Sequence, residues 1–186
     1  MYDRMHPQFG SGTIFTIGHS TRPIEAFIYT LKAYNIRTLV DIRTVPRSRH
    51  NPQFSQEPLA EAVDSADIVY RYMKDLGGRR HAKKDSPNTG WRNLSFRGYA
   101  DYMQSASFRV AIDELVALGA ESPSVIMCAE ALPWHCHRSL VGDALVVRHI
   151  PVVDILSVQK SSPHTLTDFA QVTGTQILYP PEPART

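Results

Sequence analysis

The chain has 186 residues, of which 42% are hydrophobic and 20% charged, and its formal net charge is +2. This length is that of one ordinary domain with a buried core, and this composition excludes an intrinsically disordered chain. No apolar run is long enough to span a bilayer, and the polar residues 1–12 lack the apolar segment of a secretory signal. We therefore expect a cytoplasmic protein whose two cysteines are reduced thiols.

The first elements of the chain predict a strand, a helix and a second strand. Residues 13–17 are β-branched or aromatic, which is typical of a buried strand, and residues 36–42 predict another. Between them, apolar residues recur every three or four positions over residues 24–34, so we expect a helix there with Ser20 or Thr21 as its N-cap. Two strands joined by a helix pair in parallel with a right-handed crossover, so this start predicts a parallel sheet.

The rest of the chain continues the alternation of helices and strands, and Gly119 is expected to end one of the helices. The remaining predicted elements are helices over residues 57–63, 96–104, 108–118 and 136–147 and strands over residues 68–72, 124–128, 150–155 and 176–179. No repeat or linker divides the chain. The pattern predicts one α/β domain over residues 13–179, with a mostly parallel sheet flanked by helices in a Rossmann-like arrangement. An N-terminal tail, residues 1–12, precedes this domain, and a Pro-rich tail, residues 180–186, follows it.

A long basic loop, residues 74–94, interrupts the regular elements. From Arg71 to Arg97 the chain has eight arginines and lysines against two aspartates, a net charge of +6, so the remainder of this +2 chain has a charge of −4. Such a segment is either a solvated, flexible loop or a contact for an anionic ligand. Aromatic residues among these cations would suit a nucleotide or a single strand, although Phe96 and Tyr99 recur at helical spacing and are expected in the core.

Polar side chains follow four of the predicted strands. In parallel α/β sheets the ligand crevice lies at the carboxyl ends of the strands. The residues at these ends are His19 after the first strand, Asp41 and Arg43 at the second, Lys74 with Gly77 and Gly78 after the third, and Cys128 and Glu130 at the fourth. Because four strand ends deliver polar groups to one edge of the sheet, we expect a single functional site there.

The polar groups after the first two strands have alternative roles. His19 lies next to a helix N-terminus, where phosphate binds readily, and an imidazole has no capping role there. Asp41 and Arg43 either form a buried ion pair that orders the following loop or take part in catalysis. Arg43, Arg47 and Arg49 are also placed to bind phosphate oxygens through their planar guanidinium groups.

Residues 128–138 contain the densest group of reactive side chains. Cys128 ends an apolar strand and is expected to be a small buried hydrophobe. Cys136 is predicted at a helix N-terminus, where His137 and Arg138 would lower its pKa and activate it as a nucleophile. Cys128, Cys136 and His137 are also zinc-ligand types, although the seven residues between the cysteines exceed the usual spacing of a structural zinc site.

One carboxylate in this segment has a predicted chemical role. Glu130 is the candidate general acid or base, provided that Trp134 shields it from water.

Several short motifs, each weak alone, form a specific combination. They are Thr16-Ile17-Gly18-His19-Ser20, Leu39-Val40-Asp41-Ile42-Arg43 with Pro46 and Ser48, Leu76-Gly77-Gly78, Phe96 with Tyr99 and Met103, Cys128-Ala129-Glu130, and Cys136-His137-Arg138. With them the chain resembles the bacterial and archaeal family called domain of unknown function 488, from about Thr13 to Ile155. The family usually has valine where Ile42 stands and an acidic or polar residue near Leu132. The resemblance implies no established reaction, but it implies one shared site made of His19, Asp41, Arg43, Glu130, Cys136, His137 and Arg138.

The leading hypothesis is an enzyme that acts on a phosphate-bearing ligand, a nucleotide or nucleic acid, with DNA or RNA processing or repair as candidate roles. Its expected catalytic residues are Glu130, His19, Cys136 and Asp41, and its expected anion-binding residues are Arg43, Arg138, His137, Ser48 and Arg79. One alternative is a metal-binding or thiol redox sensor that uses Cys128, Cys136 and His137. Another is a non-catalytic nucleic-acid-binding module that docks through Trp134 and the stretch around Arg71 and Lys74. The pattern indicates no particular cofactor or oligomeric state.

Overall fold

The structure is a computed structural model that describes residues 9–181, so residues 1–8 and 182–186 of the two predicted tails lie outside it. The strands are β1 (Ile14–Gly18), β2 (Thr38–Asp41), β3 (Val69–Tyr72), β4 (Ser124–Cys128), β5 (Val152–Ser157), β6 (Lys160–Pro163), β7 (Gln171–Thr173) and β8 (Gln176–Leu178). The helices are α1 (Ile24–Ala33), α2 (Gln56–Asp64), α3 (Leu94–Tyr102), α4 (Ala106–Glu121) and α5 (Arg138–Val146). Short 3-10 helices lie at Pro52–Phe54, Lys74–Leu76 and Pro133–His135.

Six strands form one sheet in the order β3-β2-β4-β1-β5-β6, and β7 pairs with β8 in a separate two-stranded sheet. Strands β1 to β5 run parallel, and β6 pairs antiparallel with β5 at one edge. The central strand β1 is in register with both neighbours, with Ile14 opposite Ser124 and Val152. The predicted single α/β domain with a mostly parallel, Rossmann-like sheet is confirmed. The carboxyl ends of β2, β4 and β1 are adjacent, which positions the site described below.

Hydrophobic side chains cover both faces of the sheet because residues alternate along each strand. On one face Ile14 packs in a cluster with residues of α3, α4 and α5, including Tyr99 and Leu140. On the other face Ile17 packs with residues of α1 and α2, including Phe27. Burying one such side chain contributes about 1.5–3 kcal/mol, so the two clusters hold the helices on opposite faces of the sheet.

Two local predictions about the helices are wrong. Neither Ser20 nor Thr21 caps α1, because Pro23 occupies the N-cap position and no side chain bonds the first turn. Gly119 does not end α4, which continues to Glu121. A Cβ at Gly119 would lie 2.7 Å from Cγ1 of Ile14, so this glycine lets α4 pack closely against β1.

Two strands were not expected from the sequence. Strand β6 is formed by exposed or half-buried polar residues, and β7 is exposed throughout, so neither shows the alternation that predicts a strand. None of the helices within residues 9–181 combines the length and hydrophobicity needed to cross a membrane.

Candidate functional site

A cavity of about 460 Å³ opens at the carboxyl ends of β1, β2 and β4. This volume lies in the range of small-molecule sites, about 300–1,000 Å³. Its lining comes from five segments: His19; Arg43, Thr44, Val45, Arg47 and Ser48; Gly78 and Arg79; Asn93, Ser95 and Phe96; and Cys128, Ala129, Glu130, His135, Cys136 and His137. The strand ends therefore converge as the sequence predicted, and the basic loop and the start of α3 complete the enclosure.

Two buried cysteines and one histidine form a compact thiol–imidazole cluster in the cavity wall. Cys128 is the last residue of β4, and Cys136 and His137 directly precede α5. The Sγ atoms of both cysteines and Nδ1 of His137 all lie within 4.8 Å of one another. Nδ1 is 3.9 Å from Sγ of Cys128 and 3.6 Å from Sγ of Cys136. Residues eight positions apart in sequence are thus brought together by the turn between β4 and α5.

The His137 ring is oriented by three neighbours. Its Nε2 lies 3.1 Å from the carbonyl oxygen of Ile42, which can only accept, so Nε2 carries the proton and Nδ1 has the free lone pair. Tyr99 packs against the ring with centroids 5.0 Å apart. Gly78 lies over the ring face, because a Cβ there would overlap Nδ1 and stand 2.6 Å from Cγ and 2.7 Å from Cε1. A ring in this environment cannot turn away from the two sulfur atoms.

The two thiols differ in acidity. The pKa of Cys136 is lowered to about 7. The hydrogen bond from Cys128 is the largest cause, burial acts in the opposite direction, and the Arg138 cation also lowers the pKa. The backbone N–H of Arg138 also donates to Sγ of Cys136 at 3.5 Å. The hydrogen bond to Cys136 and burial both raise the pKa of Cys128. Negative charge in the pair therefore resides on Cys136, next to the start of α5.

Asp41 and Arg43 form a buried ion pair behind the cavity wall. Nη2 of Arg43 lies 2.5 Å and Nε 3.2 Å from Oδ2 of Asp41, and the hydroxyl of Tyr70 donates to the same oxygen at 2.8 Å. Asp41 is fully buried and does not line the cavity, and its carboxylate positions Arg43. The catalytic role expected of Asp41 stays a prediction. Arg43 does line the cavity, and two of its five N–H groups are not engaged by Asp41 or His19.

His19 is buried at the end of β1 with both ring nitrogens engaged. Its Nδ1 donates to the carbonyl oxygen of Ser20 at 2.8 Å, and its Nε2 faces Nη1 of Arg43 at 3.4 Å. Phe54 stacks on the ring with centroids 4.3 Å apart. Burial lowers the pKa of His19 to about 4, despite the bond to Ser20, which raises it. The ring is therefore neutral at pH 7, and its Nε2 faces the guanidinium group of Arg43. The catalytic role expected of His19 stays a prediction.

Arg138 is fully buried and does not line the cavity. Its Nη1 donates to the carbonyl oxygen of Glu130 at 2.5 Å, and its Nη2 donates to that of Ala131 at 2.9 Å. A Cβ at Gly18 would overlap the same Glu130 carbonyl, so glycine is required where this turn crosses β1. The guanidinium group of Arg138 thus fixes the turn between β4 and α5, and the anion-binding role expected of Arg138 stays a prediction.

Glu130 is the exposed carboxylate of the cavity. Trp134, which was expected to shield it, is 57% exposed and does not line the cavity. His135, which the sequence reasoning passed over, places a second exposed titratable side chain in the lining. The cavity therefore offers a carboxylate and an imidazole to a ligand, in addition to the thiol–imidazole cluster.

Three arginines line the cavity. Arg47 and Arg79 are exposed, and Arg43 is buried. Ser48, an expected anion-binding residue, lines the cavity, and its hydroxyl accepts from the backbone N–H of Asn51 at 3.0 Å. The lining residues that the sequence reasoning did not single out are Thr44, Val45, Asn93, Ser95, Ala129 and His135. Their positions in the sequence could have indicated them, since each lies within a few residues of a strand end or a helix start.

Three groups of the basic loop donate hydrogen bonds to one buried carboxylate. Asp101 on α3 accepts from the backbone N–H of Lys83 at 2.8 Å, from the hydroxyl of Ser86 at 2.6 Å and from the amide of Asn88 at 2.8 Å. Asn88 is fully buried and in turn accepts from the backbone N–H of Tyr179 at 2.9 Å. This network fixes the loop between α3 and the C-terminal strands.

We expect that replacing Asp101 with alanine releases the loop. The change leaves two buried donors, on Ser86 and Asn88, and the backbone N–H of Lys83 without their acceptor, and the free energy of unfolding should fall by about 1–3 kcal/mol. Limited proteolysis within residues 77–93 should become faster. Asp85, an exposed aspartate of the same loop, is the matched control, and Asp85→Ala should change neither quantity. Equal effects of the two variants would contradict the role of Asp101.

Comparison with protein families identifies the chain. Residues 23–145, more than half of the sequence, match the domain of unknown function DUF488. The chain belongs to the DUF488 family. The resemblance inferred from its motifs is thus confirmed, and the matched region contains every cavity-lining residue except His19. Neither a search of curated proteins nor a search of solved structures found a match.

The seven residues that the family resemblance assigns to one shared site in this DUF488 chain fall into two groups. Those that line the cavity are His19, Arg43, Glu130, Cys136 and His137. Asp41 and Arg138 lie behind the lining, where each makes hydrogen bonds that hold a lining residue in place. The family motifs therefore contribute both the surface of the cavity and its supports.

Proposed function

We propose that this protein is a hydrolase that acts on a phosphate ester of a nucleotide or nucleic acid bound in the cavity. The observation behind the proposal is the convergence of three guanidinium groups, from Arg43, Arg47 and Arg79, around one cavity with a single carboxylate, Glu130. Guanidinium groups bind phosphate oxygens in planar, paired geometry and keep their charge at any physiological pH. An excess of such cations favours an anionic ligand over a neutral one.

The same residues supply a chemical rationale. Phosphoryl transfer needs positive groups that stabilise the charge of the transition state and a group that orients the attacking water. In our proposal the arginines provide the first function. Glu130 receives a proton from the attacking water, and His135 is placed to protonate the leaving group.

Two features favour a nucleotide or a single strand over inorganic phosphate. Phe96 is a partly buried ring in the lining, on which a base can stack. The basic loop reaches the cavity at Arg79 and extends the positive charge beyond it. We place the protein in the cytoplasm, where nucleic acids are abundant and thiols such as Cys128 and Cys136 remain reduced. DNA or RNA processing or repair is the role that agrees with these features.

The test is to measure the binding of a single-stranded oligonucleotide over a range of salt concentrations. We expect the affinity of the wild-type protein to fall as salt rises, because phosphate contacts release counterions. In the Arg47→Ala/Arg79→Ala variant the slope of log K against log salt should be smaller by about 1.4, or about 0.7 for each arginine–phosphate pair removed. Phosphate-ester hydrolysis should be abolished in Glu130→Gln, while binding remains.

The matched control removes two exposed arginines that do not line the cavity, Arg37 before β2 and Arg109 on α4. Arg37→Ala/Arg109→Ala should keep the wild-type slope at the same net charge as the test variant. A slope that is equal in the two double variants, or binding that ignores salt, would overturn the nucleic-acid proposal.

A further inference from the structure

We infer that the thiol–imidazole cluster binds one Zn²⁺ ion through Sγ of Cys128, Sγ of Cys136 and Nδ1 of His137. The fourth coordination position would face the cavity, because all three residues line it. The ion itself does not depend on the proposed phosphate chemistry. Only the role that we give it in the reaction rests on the proposed function.

The spacing of the three atoms matches tetrahedral zinc. Zn–S bonds of about 2.3 Å and Zn–N bonds of about 2.0–2.1 Å place the sulfur and nitrogen ligands about 3.5–3.6 Å apart in a tetrahedron, and two sulfurs about 3.8 Å apart. The S–N separations here are 3.6 and 3.9 Å, and no pair of the three atoms is more than 4.8 Å apart. The S–N separations need to shorten by at most a few tenths of an ångström, and the S–S separation by at most about 1 Å, to reach the tetrahedral values.

His137 makes the supporting hydrogen bond that is typical of a metal-ligating histidine. A ligating imidazole normally donates its other ring N–H to a carbonyl or carboxylate, which fixes the tautomer and aims the lone pair. Nε2 of His137 donates to the carbonyl oxygen of Ile42, and Nδ1 faces both sulfur atoms. Gly78 covers the ring face and so leaves the in-plane lone pair of Nδ1 accessible.

Without a metal, the thiol of Cys128 donates to Sγ of Cys136, and only one thiol can donate to the single lone pair of Nδ1. A zinc ion satisfies all three atoms at once, since it replaces both thiol protons and accepts the nitrogen lone pair. The backbone N–H of Arg138, 3.5 Å from Sγ of Cys136, also stabilises a thiolate ligand. Two thiolates and one imidazole are soft and borderline ligands, which favour zinc over magnesium or calcium.

This donor set leaves a place for chemistry. Two thiolates and one imidazole with water in the fourth position form one of the ligand sets of catalytic zinc sites. When bound, the ion would lower the pKa of that water and polarise a phosphoryl oxygen. Glu130 and the three arginines would then act on a ligand at the open position. Cys136, in this view, is a ligand and not the nucleophile expected from the sequence.

The test is the metal content of protein purified without a polyhistidine tag and without chelators. We expect about one zinc per chain in the wild type and less than about a tenth of that in Cys136→Ser and His137→Gln, since each variant lacks one ligand. Because a variant can fail to fold, the metal-free wild-type protein is also titrated with Co²⁺. A thiolate-to-cobalt charge-transfer band should appear and should be absent in both variants.

Two further variants sharpen the result. His135→Gln removes an exposed imidazole from the same cavity and should keep the zinc. Gly78→Ala leaves every ligand in place but displaces the His137 ring, and loss of such support should weaken zinc binding by about 10- to 100-fold.

The inference would be overturned by protein that contains no zinc, gives no cobalt band and has two thiols free to react with an alkylating reagent. Loss of zinc in His135→Gln but not in His137→Gln would overturn it as well. Bound zinc with salt-independent oligonucleotide binding would contradict the proposed function alone.

Discussion

Replacing Asp41 with alanine should lower the free energy of unfolding by about 3–5 kcal/mol, because the change leaves the buried Arg43 guanidinium without its counter-charge. Asp41 is fully buried and Arg43 is 5% exposed, so little water reaches the place of the missing carboxylate. The hydroxyl of Tyr70 is also left without its acceptor. Urea unfolding at pH 7 measures the effect.

A double variant separates stability from function at this position. In Asp41→Leu/Arg43→Met the buried charge is absent altogether, and most of the stability should return. The double variant should still bind oligonucleotide more weakly than the wild type, because it lacks the Arg43 guanidinium group that lines the cavity. If Asp41→Ala were as stable as the wild type, the ion pair could not be the support that the geometry indicates.

The second large expected effect on the free energy of unfolding comes from His164, which connects α5 with β5. Its Nδ1 lies 2.8 Å from Oδ2 of Asp154 and its Nε2 lies 3.1 Å from Oδ1 of Asp143. Tyr179 and Thr167 donate to the other oxygen of Asp143. His164→Ala should lower the free energy of unfolding by about 3–5 kcal/mol at pH 6.5, because two buried carboxylates lose their shared cation.

The same residue makes stability depend on pH. Burial lowers the pKa of His164, but the hydrogen bonds to Asp143 and Asp154 outweigh it and raise the pKa from 6.5 to about 9. The folded state therefore binds this proton more tightly than the unfolded state. The resulting stability, about 3 kcal/mol, is fully present below about pH 6.5 and is lost as the pH rises to about 9.

This dependence is measured by urea unfolding at intervals from pH 6 to pH 9.5. The difference in stability between wild type and His164→Ala should fall by about 3 kcal/mol over this range, because Cys136, whose lowered pKa acts in the opposite direction, is present in both. His50→Gln, which removes an exposed histidine, should leave the wild-type curve unchanged. Burial and the Asp143 charge raise the pKa of Tyr179 well above its usual value, so its hydroxyl stays protonated over this range. An equal decline in wild type and His164→Ala would show that other groups produce it.

The sheet and the place of the site were predictable, because both follow from hydrophobic periodicity and from the rule that parallel strands open their ligand crevice at one edge. The direction in which individual side chains point was not predictable from the sequence. Asp41 and Arg138 lie in motifs at strand and helix ends, yet both turn inward to bond a guanidinium group and two carbonyls. Sequence spacing does not distinguish a charged residue that faces a cavity from one buried behind it.

The polar networks were also hidden from sequence reasoning. Asp101 lies within a helix and His164 just after β6, and neither is near a strand end that faces the cavity. Each stabilises the fold only because distant segments supply its hydrogen-bond partners. These are Asn88 for Asp101, and Asp143 and Asp154 for His164. The role of a glycine is equally hard to predict from sequence. Gly119 was expected to end a helix, but it lies within α4 and packs against Ile14.

The ordering of the basic loop by Asp101 has a consequence for recognition. Fixing the backbone of a residue costs about 1–2 kcal/mol of conformational entropy, and in this loop that entropy is lost during folding. An anion that reaches Arg79 therefore meets a preorganised surface, and its affinity is not reduced by an ordering step. We accordingly expect the backbone of residues 77–93 to move by less than about 1 Å on ligand binding.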